Sequence, residues 1–230
     1  MMKLGIMQPY FFPYIGYFQL INAVDKFVIY DDVNYIKQGW INRNRILLND
    51  KGFLFTLELK GASSFKEINR VEIGGNRPKL LKTFEQAYRK APYFRQIEPI
   101  LNSIFNSVET NLAPYIIQAI ELINDYLGIK TKLMLSSEIN KNNTLKGQDK
   151  VLEICNVLGA STYINAIGGK ELYSKSDFAA LGIELQFLKS NKIEYRQFGK
   201  EFLPWLSIID VMMFNTQEEI NVMLSNFELI

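Results

Sequence analysis

Lys3-Leu4-Gly5-Ile6-Met7, then Gln8-Pro9-Tyr10-Phe11-Phe12-Pro13, then Tyr14-Ile15-Gly16-Tyr17-Phe18-Gln19-Leu20-Ile21-Asn22-Ala23-Val24 decide how this chain begins. The first five residues are a short apolar run. Gln8-Pro9 stops it, because proline biases its predecessor towards extended geometry. Pro13 suits the first turn of a helix, where its missing N–H costs nothing, so a helix is expected from there to Val24. Phe27-Val28-Ile29-Tyr30 reads as a buried strand ending at Asp31-Asp32. Strand, helix and strand in about thirty residues make a βαβ unit and predict a parallel pair.

Working outward, residues 41–48 and 53–59 flank Asn49-Asp50-Lys51-Gly52, a hairpin signal. Residues 68–73 read as a further strand before Gly74-Gly75-Asn76. Residues 78–90, 94–106 and 112–127 have helical apolar spacing, with Gly128 as a stop. Residues 132–135 return to strand, and 149–158 form a helix closed by Gly159. Strands at 162–165 and 183–188 are separated by a helix near 177–181. A last helix is expected from Pro204, holding Trp205, Leu206, Ile208, Ile209 and Met212. Asn140-Lys141-Asn142-Asn143-Thr144 reads as a loop within the domain.

The expected fold is α/β and Rossmann-like: a mostly parallel sheet with an N-terminal βαβ unit, a β-hairpin and a central helical insertion. It is read as one domain over residues 1–230, with a first sheet portion at 1–76, a helical block at 77–128 and a second α/β portion at 129–230. Ligands of such sheets bind at the carboxyl ends of the parallel strands. Residues 8–12, residues 31–40 and the segment after Asn165 should therefore share one rim.

Composition excludes several chemistries. With His 0, neither a Ser-His-Asp nor a Cys-His catalytic arrangement is available, nor a His-ligated metal. The single cysteine, Cys155, rules out an intrachain disulfide and a structural zinc site; neither zinc nor haem is expected. Lys+Arg 26 against Asp+Glu 24 leaves +2, too little to argue for a nucleic-acid backbone or an acidic membrane surface. The apolar N-terminus is broken by Gln8-Pro9 and Pro13 and lacks a cleavage site, and no run of about 18–20 apolar residues occurs. A cytoplasmic protein without a membrane span is expected.

Candidate chemistry clusters in Asp31-Asp32-Val33-Asn34-Tyr35-Ile36-Lys37-Gln38-Gly39-Trp40-Ile41-Asn42-Arg43-Asn44-Arg45. In an extended segment Arg43 and Arg45 share one face, while Asn42 and Asn44 share the other. Two adjacent guanidinium forks suit a phosphate or a carboxylate. Lys37 adds a cation and Trp40 a face for a base or sugar. Asp31 or Asp32 could hold Mg²⁺ or accept a proton from an amine. The competing structural reading pairs these carboxylates with the arginines on a solvated hairpin. A helix starting beyond Pro13 would also point unpaired N–H groups at the rim, favourable for phosphate.

Farther along, Gly168-Gly169-Lys170 could bring backbone N–H groups and a cation to a ligand. The P-loop spacing is absent, and a plain turn competes. Tyr195 and Gln197 could alternate towards a sugar ring. Ser207 and Asp210 read as capping residues, and Asp210 is expected to be structural. Ser136-Ser137 could hold a phosphate, with a helix cap as the favoured reading.

The opening resembles the adenylyl-transferring Rossmann-like group, the nucleotidylyltransferases and pantothenate synthetases. Tyr14-Ile15-Gly16-Tyr17 falls on their His-x-Gly-His type signature; the glycine matches, and tyrosine stands at both histidine positions. The resemblance implies phosphates near Tyr14 and Gly16, the transferred group near Gln8 and Tyr17, and ATP, with Mg²⁺, activating a carboxylate.

A second resemblance spans almost the whole chain. Gln8-Pro9, Tyr14-Ile15-Gly16-Tyr17-Phe18, Phe27-Val28 with Asp31-Asp32-Val33, and Trp40-Ile41-Asn42-Arg43-Asn44-Arg45-Ile46 resemble the WbqC-like protein family. Tyr163, Gly168-Gly169, Tyr173, Tyr195-x-Gln197 and Leu206-Ser207-Ile208-Ile209-Asp210 resemble its later segments. This implies a transferase of surface-polysaccharide or O-antigen biosynthesis. It would move a small acyl or aminoacyl group such as glycine onto a nucleotide-activated amino sugar; the catalytic candidates, read from the residues themselves, are Asp31, Asp32 and Tyr17. The alternative is a non-catalytic binder of a nucleotide or sugar nucleotide, to which the two tyrosines in place of histidine point. Both readings need the opening loop and the arginine hairpin to meet in one pocket.

Overall fold

The computed structural model describes residues 1–199 and 201–230. In chain order it contains β1 (Lys3–Met7), α1 (Ile15–Asn22), β2 (Lys26–Ile29), β3 (Arg43–Leu48), β4 (Lys51–Thr56), β5 (Leu59–Lys60) and β6 (Glu72–Ile73). Helices α2 (Arg77–Tyr88), α3 (Phe94–Phe105) and α4 (Leu112–Leu127) follow. Then come β7 (Lys132–Leu135), α5 (Gly147–Leu158), β8 (Thr162–Ala166), α6 (Lys175–Ala180) and β9 (Glu184–Ser190). Helices α7 (Ile208–Phe214) and α8 (Gln217–Leu224) and strand β10 (Phe227–Leu229) complete the chain.

Six strands form the central sheet in the order β10-β9-β8-β1-β2-β7. All neighbours are parallel except β10, which runs antiparallel to β9. Strand β1 has β2 and β7 on one side and β8 and β9 on the other. The direction of winding therefore reverses between β1 and β8, the place where open α/β sheets take ligands. Parallelism also puts residues 8, 30, 136, 167 and 191 at one edge, which confirms the expected rim.

Period-two alternation sorts the strands between two cores. Phe27, Ile29 and Ile164 join the large cluster with α1 and the helical block. Leu4, Ile6, Val28 and Tyr163 face the other way, onto Val151 and Ile154 of α5 and Phe178 of α6. The sheet is thus sandwiched between helical layers. Gly5 sits where a Cβ would come within 2.9 Å of the Phe27 ring, so this strand position takes no side chain.

Four local expectations need correction. The hairpin turn is only Asn49-Asp50, at φ +52° and +59° as a two-residue primed turn requires, so Lys51 and Gly52 already belong to β4. Residues 68–70 form a 3₁₀ turn rather than strand. The last helix does not start at Pro204: Trp205 has φ +61°, and α7 begins only after Ser207, whose side chain accepts from the Ile209 N–H. Helix α8 and strand β10 were not expected, although Thr216 and Glu219 form a capping box. Among the described residues no helix is long and apolar enough to cross a membrane.

Candidate functional site

The loop from β1 to α1 is held by backbone bonds on both sides. The Phe11 N–H donates to the Ile41 carbonyl at 2.9 Å, and the Ile208 N–H donates to the Pro13 carbonyl at 2.8 Å. The Asn44 amide donates to the Phe12 carbonyl at 2.7 Å, fixing a residue with φ +50°. Phe11 and Phe12 turn inward and stack at 4.1 Å. Tyr10 and Tyr14 are left pointing at the rim. Burial raises both phenol pKa values, so at neutral pH they are uncharged donors.

Tyr10, Pro13, Tyr14, Trp40, Asn44, Arg45 and Trp205 enclose a cavity of about 210 Å³. The opening loop and the hairpin do therefore meet. Asn42 and Asn44 are buried while Arg43 and Arg45 alternate with them outward, as an extended segment requires. Only one of the two guanidinium groups serves the cavity. Arg43 donates through Nε to the Gly39 carbonyl at 2.9 Å and through Nη2 to the Gln38 carbonyl, with its charge over Trp40. Arg45 has a buried Nε with no hydrogen-bond partner and no carboxylate within ion-pair reach among the described residues. A guanidinium without an ion-pair partner on a cavity wall is a group that an anionic ligand can satisfy.

A second cavity, of about 160 Å³, shares Tyr14 and Trp205 with the first. Their rings meet edge to face at 6.0 Å. Ile15 from the first turn of α1 lines it, as do Ile193 and Tyr195 beyond β9, Phe202, and Leu206 and Val211. Helix α1 has no side-chain cap and no acidic residue in its first turn, so its positive end meets this region uncompensated.

Behind the second cavity lies a buried polar knot. Asp210, fully buried, accepts from the Tyr88 hydroxyl, the Tyr195 hydroxyl and the Gln197 amide, each at 2.7 Å. Burial raises the Asp210 pKa, and those hydrogen bonds offset only part of the rise. Gln197 also exchanges hydrogen bonds with the Leu203 backbone, two residues before Trp205. Gln197 thus holds the wall of the site from behind, and Tyr195 offers the cavity its ring.

The other candidates lie elsewhere. Tyr17 is buried and donates to the Gln8 carbonyl at 2.9 Å; its ring packs on Tyr10 and Phe27. Neither Tyr17 nor Gln8 lines the two cavities, whereas Tyr10, whose ring packs on Tyr17, lines the one that Arg45 lines. Asn42 is committed to Tyr35 and the Leu57 carbonyl. Lys37 is exposed, and Gly168, Gly169 and Lys170 lie in a 3₁₀ segment beyond β8, outside both cavities.

Asp31 and Asp32 sit at the carboxyl end of β2, near β7, and do not pair with the arginines. Asp31 accepts from the Ser137 N–H at 2.9 Å and its hydroxyl at 2.6 Å, capping the 3₁₀ turn after β7. Asp32 pairs with Lys141 at 2.8 Å and Lys150 at 3.0 Å, all three side chains being at least nine-tenths buried. Burial alone would raise the Asp32 pKa. Hydrogen bonds from Lys141, Ser136 and Lys150 and the Lys141 charge outweigh it, and the net shift is downward. Ser137 engages both Asp31 oxygens, and two buried ammonium groups already neutralise Asp32, so the pair does not fit a divalent cation. No cluster of three metal-ligating side chains occurs among the described residues.

Tyr10, Trp205, Lys141 and Lys150 carry no role in the sequence-based expectations. Lys150 had a local signal: a cation in the first turn of a helix opposes the dipole and asks for a partner. Trp205 was hidden by the expected helix, and Lys141 by a loop with no pattern.

A profile of the WbqC-like protein family matches residues 8–222. The chain belongs to the WbqC-like protein family. The matched span contains every residue lining the two cavities. A relative, the uncharacterized protein Rv1507c of Mycobacterium tuberculosis, is 29% identical over 226 residues, covering 95% of this chain and 96% of the relative. No solved structure matches.

In this WbqC-like protein Gly16 is required by contact. A Cβ there would lie 2.3 Å from the Tyr14 ring and 2.6 Å from its hydroxyl. Gly16→Ala is expected to expel the ring from the wall between the cavities. Alanine is otherwise favoured in a helix by about 1 kcal/mol, so thermal stability should change little while ligand affinity falls at least about tenfold. Calorimetric unfolding beside ligand titration would check this; unchanged affinity would mean the Tyr14 position is irrelevant.

Proposed function

We propose that the protein is a transferase of surface-polysaccharide or O-antigen biosynthesis that acylates the amine of a nucleotide-activated amino sugar. Arg45, a cation with no carboxylate partner among the described residues that lines an aromatic-walled cavity, carries this reading. It is the group an anionic ligand would satisfy, with Trp40, Trp205 and Tyr10 as faces for a base or sugar.

In the proposed step the sugar amine attacks the acyl carbonyl carbon. A C–N bond forms, the donor's leaving group departs with the bonding electrons, and the surplus amine proton passes to water. Tyr14 borders both cavities and keeps its proton, so its hydroxyl is placed to donate to the developing oxyanion. Asp31 and Asp32 enter no step, being occupied elsewhere. ATP, with and without Mg²⁺, belongs to the proposal as an arm of the assay for activation of the acyl group.

Titration of uridine- and thymidine-diphosphate amino sugars should give binding that Arg45→Ala weakens by about 10–100-fold, the worth of a charge-assisted hydrogen bond. Mass spectrometry of the sugar after incubation with acyl donors tests transfer. Absence of binding across the panel, or equal binding by Arg45→Ala, would overturn the reading. Binding without any mass shift would favour the second reading, a sugar-nucleotide binder without catalysis. The position of both rim carboxylates away from the cavity supports that reading.

A further inference from the structure

The second cavity has no use in sugar-nucleotide binding, and its chemistry differs from the first. Ile15, Ile193, Phe202, Leu206 and Val211 give it aliphatic and aromatic walls. Of the described residues that line it, the single carboxylate is Glu194, which pairs with Lys192 at 2.7 Å. Asp210, behind the wall, is engaged by three donors. The Lys192–Glu194 pair is solvent-exposed, at the mouth, so the apolar interior offers an ammonium group no counter-charge, and burying one there unpaired is prohibitive. A volume of about 160 Å³ is close to that of an apolar cavity of about 150 Å³ that holds one benzene molecule, which corresponds to about six carbon atoms.

We propose that this cavity binds the apolar tail of an acyl group of about four to six carbons, with its carbonyl end towards Tyr14 and the first cavity. This rests on the acyl-transfer reading and narrows it: the transferred group is an aliphatic acyl rather than glycine. The Tyr14–Trp205 pair then divides a donor subsite from an acceptor subsite. Trp205 holds its place with φ +61°, a conformation that costs a non-glycine residue free energy and persists where the surrounding structure over-determines it.

The test uses the full-length protein and straight-chain carboxylates from acetate to decanoate, with glycine as comparison, followed by ligand-observed NMR. Affinity should tighten about fourfold per methylene up to about six carbons and then stop improving. Ile193→Trp, a substitution in a half-buried loop residue that fills the cavity, should abolish the chain-length dependence. Nuclear Overhauser contacts should join the hexanoate methyl group to Ile15 and Val211 of the wild-type protein, a readout that needs no variant to fold. A flat chain-length series, glycine bound better than hexanoate, or contacts absent from Ile15 and Val211 would each overturn the proposal. The sugar-nucleotide titration is run on the same samples. Length-dependent acid binding without sugar-nucleotide binding sinks the proposed function and leaves the acyl pocket; the converse leaves the function and sinks the pocket.

Discussion

Asp210→Ala should lower the melting temperature by roughly 6–12 °C and dismantle the second cavity. The substitution leaves the Tyr88 hydroxyl, the Tyr195 hydroxyl and one N–H of the Gln197 amide, all now bonded to this carboxylate, without this acceptor in a buried site; the Gln197 amide keeps its bond to the Leu203 carbonyl. Each stranded donor costs about 1–3 kcal/mol, and the three do not add independently, so a total of at least about 3 kcal/mol is expected. For a chain of this size that converts to the stated shift. The loss should be spatially biased. Tyr88 also accepts from the Leu47 N–H at 3.0 Å, so the knot ties the hairpin to α7 and to the Trp205 loop. Hydrogen exchange should rise first at residues 195–206 and in β3. Asp210→Asn should be milder, since its carbonyl can still accept from Tyr195 and Gln197 while only Tyr88 meets a donor. An alanine variant as stable as the wild type would show that the knot holds nothing together.

Asp32→Ala should cost about 3–5 kcal/mol, because it strands the ammonium groups of Lys141 and Lys150 in a buried site with no carboxylate. Denaturant titration would measure it. Adding Lys141→Met should return part of the loss, which simple cavity formation at residue 32 does not predict. The pH dependence has a definite sign. The folded-state pKa of Asp32 lies below its ordinary value, so its contribution is complete above the unfolded carboxylate range near 3.9. That contribution disappears as pH falls through the folded value. Wild type minus variant should therefore be constant from pH 5 upward and shrink in stronger acid. A difference that is the same at pH 3 and pH 7 would refute the ion-pair account.

How much of this was legible depended on whether the cause was local. Helix α4 was read to the residue, because Asn111 caps its start and Gly128 adopts φ +74° at its end. Strand β7 was read equally well from four residues. Helix α1 was placed too early: Pro13 invites a helix, yet Tyr14 stays extended at ψ 166°, which is what aims its ring at the site. Tyr14, Trp40, Asn44 and Arg45 were legible as a site because polar and aromatic residues crowd two segments that topology brings to one rim. The division of labour between the arginines was not. It depends on Gln38 adopting φ +59°, which turns two carbonyls onto Arg43 and leaves Arg45 to the cavity. The Asp32 pairing with Lys141 was beyond reach for the same reason, since the partners are neighbours only once β2 and β7 have aligned.

The distribution of indole in this molecule has a practical consequence. The chain has two tryptophans, Trp40 and Trp205, and both border the Arg45 cavity. Intrinsic emission excited through indole therefore originates at the rim alone, and the helical block and distant strands contribute none. A molecule entering there should quench or shift that light directly, giving an unlabelled optical signal that reports occupancy before any chemistry has been identified.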